Sequence, residues 1–394
     1  MKRIAILLNG DLKDRKGFIN AVIERAKRLY VRGTYNVEIF CLSQYDYWFI
    51  RQLRHTQKID QPDTIEVDGL PINLIWYPFS LIDYILDAKF HIGKIVEPII
   101  IKRMLSRFRH YDLVCVHSMV PGLLAYEINK QYHIPYCITW HGSDIHTEPF
   151  VNKEIFKSVS RLMSKASCNI FVSQALQQTA KQINPDIKSA ILYNAASEKF
   201  YRMNDNYRET LHGQYKLTND KVVAFAGGLV PVKNADILPD IFSSIQNKID
   251  EQIEFWIIGD GKLRSIIENK LTSMPNVRCK LWGNQPVEKM PELLNCVDIL
   301  VLPSKNEGLP LIVVEALQSG ANVVASDVGG IKEVLDEKNV IILGENFIER
   351  FSSRVIELLN THSPAPKVPP QFDWQMTSNV ENEIYTRILN EKEK

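Results

Sequence analysis

The chain has 394 residues, 45% of them apolar and 24% charged, which is typical of a globular protein and not of a disordered or membrane-embedded chain. This length predicts two domains. A formal net charge of +1 excludes a broad positive field, so we expect no nucleic-acid partner. The apolar run at 4–8 is shorter than the roughly 7–15 residues of a secretion signal. No run approaches the roughly 20 residues of a spanning helix, so we expect a soluble chain. Its six cysteines form no Cys-x-x-Cys or Cys/His cluster, a usage that suits a reducing cytoplasm.

The first half of the chain alternates apolar strands with amphipathic helices. Because strands that are apolar at every position alternate with helices, we expect a parallel sheet covered on both faces. The predicted strands are 4–8, 37–42, 112–117, 136–140, 169–172 and 190–193, and the predicted helices are 18–30, 95–109, 121–131 and 153–165.

A polar stretch at 204–220 has no apolar period and predicts a linker. A second alternation follows, with strands predicted at 222–226, 254–258, 277–281, 299–302 and 323–325 and helices at 236–245, 263–271, 310–318 and 331–335. The prolines of 361–370 predict an extended segment before a last helix at 375–390. The predicted division is therefore a domain at 1–203, the linker at 204–220, a domain at 221–372 and a final segment at 373–394.

Two such alternations predict two doubly wound α/β domains. In sheets of this kind, ligands bind outside the carboxyl ends of the strands. The most informative of the loops at these ends is 303–316, directly after the strand at 299–302. Pro310 is predicted as the first helical residue, where a missing N–H costs nothing, which places Glu315 in the second turn.

The N-terminus of that helix would offer unpaired N–H groups and a positive dipole end to a phosphate. Glu307 in the loop and Glu315 in the helix would repel the same phosphate. They suit neutral hydroxyls, because one carboxylate can accept two hydrogen bonds from a vicinal diol. From spacing alone, a surface loop before an ordinary amphipathic helix stays equally open.

The spacing of Glu307 and Glu315 resembles the Glu-x7-Glu signature of the family-four retaining glycosyltransferases, the group 1 enzymes of the GT-B fold. Segment 226–236 resembles the family's phosphate-binding loop, 257–261 its next glycine loop, and 326–333 the stretch after its donor helix. The resemblance is strong over 222–335, fair at 139–144 and weak over 43–110. It implies two Rossmann-like doubly wound parallel-sheet domains facing across a cleft, with the final helix crossing back to the N-terminal domain.

The resemblance also implies roles for the matching residues. Glu307 would contact the transferred sugar, Glu315 the ribose, and Lys233 the diphosphate, while His141 of the other domain would lie near the sugar. The catalytic candidates are Glu307, His141 and Lys233, and the donor-binding candidates are Gly17, Gly227, Gly228, Lys233, Gly259, Asp260, Gly261, Glu307, Gly308, Leu309, Pro310, Leu311 and Glu315. Gly227 and Gly259 would let the main chain approach the donor, which a Cβ would block. Asp144 is a further candidate, although an Asp there could equally cap a helix.

The chain departs from the family pattern at two of these places. Gly228 stands where the family usually has an arginine, which leaves Lys233 with one cation fewer. In the first loop, Lys16 and Gly17 stand where a glycine pair is usual, which puts the geometry of that loop in doubt.

The implied function is that of a retaining hexosyltransferase using a nucleotide-diphosphate sugar, with a uridine diphosphate donor and a saccharide or lipid-linked acceptor of a cell-surface glycan as the common case. No Asp-x-Asp in a metal-like context follows a strand, so we expect no metal ion or other cofactor. The apolar and basic stretch 99–109 could touch the inner face of the plasma membrane, or simply cover a sheet. Two alternatives stay open, namely a protein that binds a nucleotide sugar without transferring it and a nucleotide-sugar epimerase of the same fold.

Overall fold

The structure is a computed structural model that describes residues 1–10, 12, 18–54, 58–83, 85, 99, 102–217, 221–361 and 364–392. The chain divides into two compact units, which are unit 1 (Met1–Tyr193 with Gln375–Lys394) and unit 2 (Asn194–Trp374). Among the described residues, no helix combines the length and the apolar character that crossing a membrane requires. Gly17 lies outside the described residues, and so does most of 95–101.

Unit 1 is built on a sheet of strand order β3-β4-β2-β1-β5-β6-β7-β8. The strands are β1 Arg3–Asn9, β2 Asn36–Tyr45, β3 Thr64–Val67, β4 Leu70–Pro78, β5 Leu113–His117, β6 Tyr136–Trp140, β7 Cys168–Phe171 and β8 Ser189–Ile191. All neighbours pair in parallel except β3 and β4, which are antiparallel. Missing this hairpin was an error of the sequence prediction. Asp68 and Gly69 both have positive φ, as the Asp-Gly hairpin turn requires.

Helices cover the sheet of unit 1. They are α1 Phe18–Arg32, α2 Trp48–Arg54, α3 Met119–Tyr132, α4 Ser143–His146, α5 Glu148–Val151, α6 Lys153–Lys165 and α7 Gln174–Ile183, with a 3-10 turn at Leu105–Phe108. The central strands β1, β5, β6 and β7 are buried on both faces, as their largely apolar sequences predict. Helix α1 buries a stripe against the sheet that includes Ile19, Val22 and Leu29.

Unit 2 has a wholly parallel sheet of strand order β11-β10-β9-β12-β13-β14. Its strands are β9 Val222–Ala226, β10 Glu254–Ile258, β11 Arg278–Gly283, β12 Ile299–Leu302, β13 Asn322–Ser326 and β14 Val340–Ile341. Its helices are α8 Asp205–Tyr215, α9 Leu238–Gln246, α10 Arg264–Thr272, α11 Met290–Asn295, α12 Leu311–Gln318 and α13 Phe347–Thr361. The predicted α/β fold with two doubly wound sheets is confirmed.

The stretch expected to be a linker contains helix α8. The side chain of Asn204 caps it by accepting a hydrogen bond from Tyr207 N at 2.9 Å. Arg208 donates to Asn295 O at 2.8 Å, which holds the helix on unit 2. Leu211 is the buried residue of α8, so the helix shows no apolar period in the sequence. The two units divide earlier, after Tyr193.

A last helix, α14 at Trp374–Lys392, packs on unit 1. Its apolar stripe, Ile384, Tyr385, Ile388 and Leu389, is buried in the same core as β1 and α1. The carboxylate of Glu381 accepts hydrogen bonds from buried Arg25 of α1, at 2.6 Å from Nη2 and 3.2 Å from Nε. The helix is therefore fixed by both apolar and ionic contacts.

Candidate functional site

In unit 2, the loops after β9, β12 and β13 are joined by backbone hydrogen bonds. Lys305 N donates to Val232 O at 2.8 Å, and Gly330 N donates to Gly308 O at 2.9 Å. Because β9, β12 and β13 are neighbours in a parallel sheet, their carboxyl ends meet at one edge. The three loops therefore form one continuous surface there.

Lys233 and Glu307 are bonded to each other on this surface. The Lys233 ammonium lies 2.6 Å from Glu307 Oε1 and 2.9 Å from Oε2. Ser304 Oγ also donates to Oε1, at 2.6 Å. The Glu307 side chain is 8% exposed and that of Lys233 25%. Sequence reasoning assigned Lys233 to the diphosphate and Glu307 to the sugar. It missed the ion pair between them and the hydrogen bond from Ser304 to Glu307.

The helix after this loop begins one residue later than predicted. Pro310 has extended backbone, with φ −75° and ψ 111°, and α12 starts at Leu311. The first N–H groups of a helix have no partner within it, so the backbone from Leu311 onward suits an anion. Glu315 is half-buried in the second turn, and burial raises the pKa of its carboxyl to about 7. That carboxyl therefore titrates near neutral pH.

The glycine loops after β9 and β10 are bound to each other. Gly227 N donates to Ile258 O at 2.9 Å, and Leu229 N donates to Asp260 O at 3.0 Å. A Cβ on Gly259 would collide with the carbonyl oxygen of Gly227. The missing Cβ of Gly259 therefore makes room for the neighbouring loop, a contact that the sequence analysis did not foresee, and its expected role in donor binding stays a prediction.

Two other candidates in these loops have local contacts. The Asp260 carboxylate accepts from Gly261 N at 2.7 Å and from Arg264 Nη1 at 3.0 Å. A Cβ on Gly228 would meet only a side-chain atom of Val230, at 3.8 Å. Among the glycines of these two loops, Gly228 is therefore the one with room for a Cβ.

We expect Gly261→Ala to lower the free energy of unfolding of unit 2 by about 1–3 kcal/mol, the usual cost of overpacking. The new Cβ would lie 2.5 Å from Leu229 O and 2.8 Å from Leu229 C, and backbone atoms cannot move aside as a side chain can. Gly228→Ala is the matched control and should stay within about 0.5 kcal/mol of wild type. Urea denaturation of both variants measures this, and equal stability would show that the loops are not in contact.

Gly329 lets its loop pass close to the backbone of Glu307, a contact that sequence reasoning missed. Gly329 has a φ of 55°, and a Cβ there would collide with Glu307 O. Its neighbour Gly330 donates to Gly308. The consecutive glycines after β13 were the available signal, because adjacent glycines commonly mark a close approach of main chains.

In unit 1, His141 follows β6 and is half-buried between two rings. Its ring centroid lies 4.9 Å from that of Phe18 and 5.3 Å from that of His117. Burial, and next the charge of Arg25, lowers the pKa of His141 to about 3. His141 is therefore a neutral imidazole at physiological pH.

Asp144 is buried in the same loop. Its Oδ1 accepts from Gly142 N at 2.9 Å, and its Oδ2 has no hydrogen-bond partner among the described residues. Burial raises the pKa of this carboxyl to about 7. The side chain thus bonds back within its own loop. Across the described part of the chain, no group of three or more His, Cys, Asp or Glu side chains could hold a metal ion.

Comparisons with known proteins agree with the resemblance seen in the sequence. The Glycosyltransferase Family 4 model matches residues 20–198, and the Glycosyl transferases group 1 model matches residues 220–361. A putative teichuronic acid biosynthesis glycosyltransferase, TuaC of Bacillus subtilis (strain 168), is 28% identical over 246 residues. That alignment covers 62% of this chain and 60% of TuaC, so it spans less than two thirds of the relative.

Two solved structures match nearly the whole chain. Sucrose-phosphate synthase from Thermosynechococcus elongatus has a TM-score of 0.76 at 14% identity, over 99% of this chain and 100% of that one. Anabaena Alr3699/HepE in complex with UDP and glucose has a TM-score of 0.68 at 17% identity, over 98% and 97%. At these identities the likeness shows a shared fold.

Proposed function

Since the chain belongs to the family 4 and group 1 glycosyltransferases and has their GT-B fold, we propose that it is a retaining glycosyltransferase using a nucleotide-diphosphate sugar. One observation carries the proposal. Lys233, Glu307 and Glu315 stand in the loop after β9 and in the loop and helix after β12, where doubly wound sheets bind nucleotides. The HepE complex with UDP favours a uridine diphosphate donor.

The bond between Lys233 and Glu307 suits this reaction. Breaking the sugar–phosphate bond leaves negative charge on the diphosphate, which Lys233 and the N-terminus of α12 would stabilise. A bound diphosphate competes with Glu307 for the ammonium, so Glu307 turns to the sugar hydroxyls. The ion pair thus holds both groups in place until the donor arrives.

Glu315 would bind the ribose. The pKa of its carboxyl is raised because burial disfavours the charged form. Two ribose hydroxyls donating to the carboxylate would favour the ionised form and lower that pKa. Nucleotide binding therefore gains from this carboxyl when it is ionised.

Retention of configuration follows the family's usual proposal, in which the leaving phosphate takes the proton of the acceptor on the same face of the sugar. By the family resemblance His141 would contact a sugar hydroxyl, and as a neutral imidazole it would not attract the phosphate. The enzyme would thus rely on positioning and charge stabilisation, without a covalent nucleophile.

For the acceptor, we propose a saccharide or a lipid-linked saccharide of a cell-surface glycan, made in the cytoplasm. The name of TuaC, which refers to teichuronic acid biosynthesis, supports this class. Peripheral contact with the inner face of a membrane carrying such an acceptor is part of the proposal, and the apolar and basic sequence of 99–109 supports it.

We expect activity to be independent of divalent metal ions and of any other cofactor. Lys233 and the N-terminus of α12 would supply the positive charge that the leaving diphosphate needs. Initial rates in excess chelator should equal those with added magnesium or manganese. A tenfold loss in chelator that metal restores would contradict this expectation.

A screen of nucleotide sugars tests the proposed function. Without acceptor, the enzyme should slowly release free nucleotide diphosphate from its cognate donor, and with acceptor the product should keep the donor's anomeric configuration by NMR. A nucleotide-sugar-binding protein without transfer would release no diphosphate. An epimerase would return an altered nucleotide sugar, and an inverted product would rule out retention.

A further inference from the structure

The imidazoles of His117 and His141 lie against each other at the carboxyl ends of β5 and β6. Their rings are nearly parallel, at 27°, and Nδ1 of His117 lies 3.1 Å from Nε2 of His141. In the parallel pairing of these strands His117, the last residue of β5, is opposite Thr139, which lies two residues before His141. Phe18 packs against the His141 ring as well. His141 is therefore held in place by its neighbours. One of them, His117, is polar and has no role in the proposed mechanism.

Only one proton can occupy the short contact between these two nitrogens. Burial lowers the pKa of both rings, and the charge of Arg25 lowers both further. Both rings are therefore neutral, and each carries a single N–H. Either Nδ1–H of His117 donates to His141, or Nε2–H of His141 donates to His117.

The surroundings of His117 favour the first arrangement. His117 is 2% exposed, and its Nε2 has no hydrogen-bond partner among the described residues. Because the His117 ring is almost fully buried and His141 is only half-buried, the N–H of His117 is the one that needs this contact, so the proton belongs on Nδ1 of His117. The charge of Arg25 acts on both rings and does not distinguish the two arrangements. The guanidinium of Arg25 is itself paired with the carboxylate of Glu381.

We propose that His117 is a positioning residue that donates its Nδ1–H to Nε2 of His141 and so holds His141 as the Nδ1–H tautomer. His141 then presents an N–H donor at Nδ1, which suits a hydroxyl oxygen of the donor sugar. This inference rests on the proposed function for that sugar contact, although the hydrogen bond between the two rings does not.

The tautomer can be measured without any substrate. In 15N NMR spectra of the histidine-labelled protein, we expect the His141 ring, assigned by its loss in His141→Gln, to show a protonated Nδ1 and a bare Nε2. His117→Phe keeps a ring in the stack and removes the donor, so both tautomers of His141 should then be populated. A protonated Nε2 on His141 in the wild type, or an unchanged tautomer in His117→Phe, would overturn the proposal.

Kinetics provide the second readout. Losing one neutral hydrogen bond that orients His141 should lower kcat about 2- to 12-fold in His117→Phe, with donor KM nearly unchanged. His117→Asn places an amide N–H near the lost Nδ1–H and should restore most of kcat. The exposed His110→Phe serves as the control and should match wild type. No rescue by asparagine would assign His117 to packing alone. An enzyme with the expected tautomer but no transferase activity would instead refute the proposed function.

Discussion

Replacing Glu381 with alanine is expected to lower the stability of unit 1 by about 3–5 kcal/mol, the usual cost of leaving one partner of a buried ion pair alone. Both side chains are almost fully buried, at 1% exposed for Arg25 and 2% for Glu381. Burial lowers the pKa of Arg25, but the charge of Glu381, its hydrogen bond to the guanidinium and the neighbouring Tyr385 together outweigh burial, so the pKa is raised. An arginine side chain stays protonated in proteins, so the guanidinium remains charged when Glu381 is removed. Tyr385, which donates to Glu381 at 2.6 Å, loses its acceptor in the same variant.

Native-state hydrogen exchange of the β1 and β6 amides measures this loss for unit 1 alone, since two units need not unfold together. Glu391→Ala is the matched control on the same helix. Glu391 lies 4.0 Å from Lys188 with both side chains more than half exposed, so its loss should cost under about 0.5 kcal/mol. The double replacement Arg25→Met with Glu381→Leu should recover much of the loss, because no buried charge remains. Equal effects of Glu381→Ala and Glu391→Ala would contradict this account of α14.

We expect Lys233→Ala to lower kcat/KM for the donor about 10- to 150-fold, since a hydrogen bond to a charged group contributes about 1.5–3 kcal/mol. Gly228 stands where the family usually has an arginine, so that position supplies no second cation. The ion pair to Glu307 also disappears, but Ser304 still donates to that carboxylate and limits its movement.

Lys305→Ala tests whether this loss is specific. Lys305 lies in the neighbouring loop with an exposed side chain, and its contact to Val232 is made by the backbone. Its removal should leave kcat/KM within about twofold of wild type, because an exposed charge outside the site changes little. Circular dichroism should show both variants folded. Wild-type kinetics in Lys233→Ala would place the diphosphate elsewhere.

The sequence predicted three strands of unit 2 well because each is an almost continuous apolar run followed directly by a glycine or a proline, whereas β14 was missed. The predictions at 222–226, 254–258 and 299–302 have the bounds of β9, β10 and β12. Placing the site in the loops beyond them needed only the rule for parallel sheets. Helix α8 was missed because packing against unit 2, through a single buried leucine and an arginine, replaces the apolar stripe that periodicity detects.

Pairings between distant side chains could not be predicted in this way. Lys233 and Glu307 are 74 residues apart, and Arg25 and Glu381 are 356 residues apart. Local propensity and periodicity contain no information on such contacts, because they depend on which strands become neighbours. The close contact of Gly259 with Gly227 was missed for the same reason, since Gly227 comes from the preceding strand's loop.

The central claim is that Glu315 binds the nucleotide and Glu307 the transferred sugar, and calorimetry of uridine diphosphate binding tests it most directly. At pH 8, above the pKa of about 7 for Glu315, its carboxylate is ionised in the free protein. Glu315→Gln should weaken diphosphate binding about tenfold or more. Glu307→Gln should leave it unchanged or tighter, because the amide no longer competes for Lys233, while kcat with the full donor falls. Weaker diphosphate binding in Glu307→Gln, with wild-type binding in Glu315→Gln, would contradict the assignment.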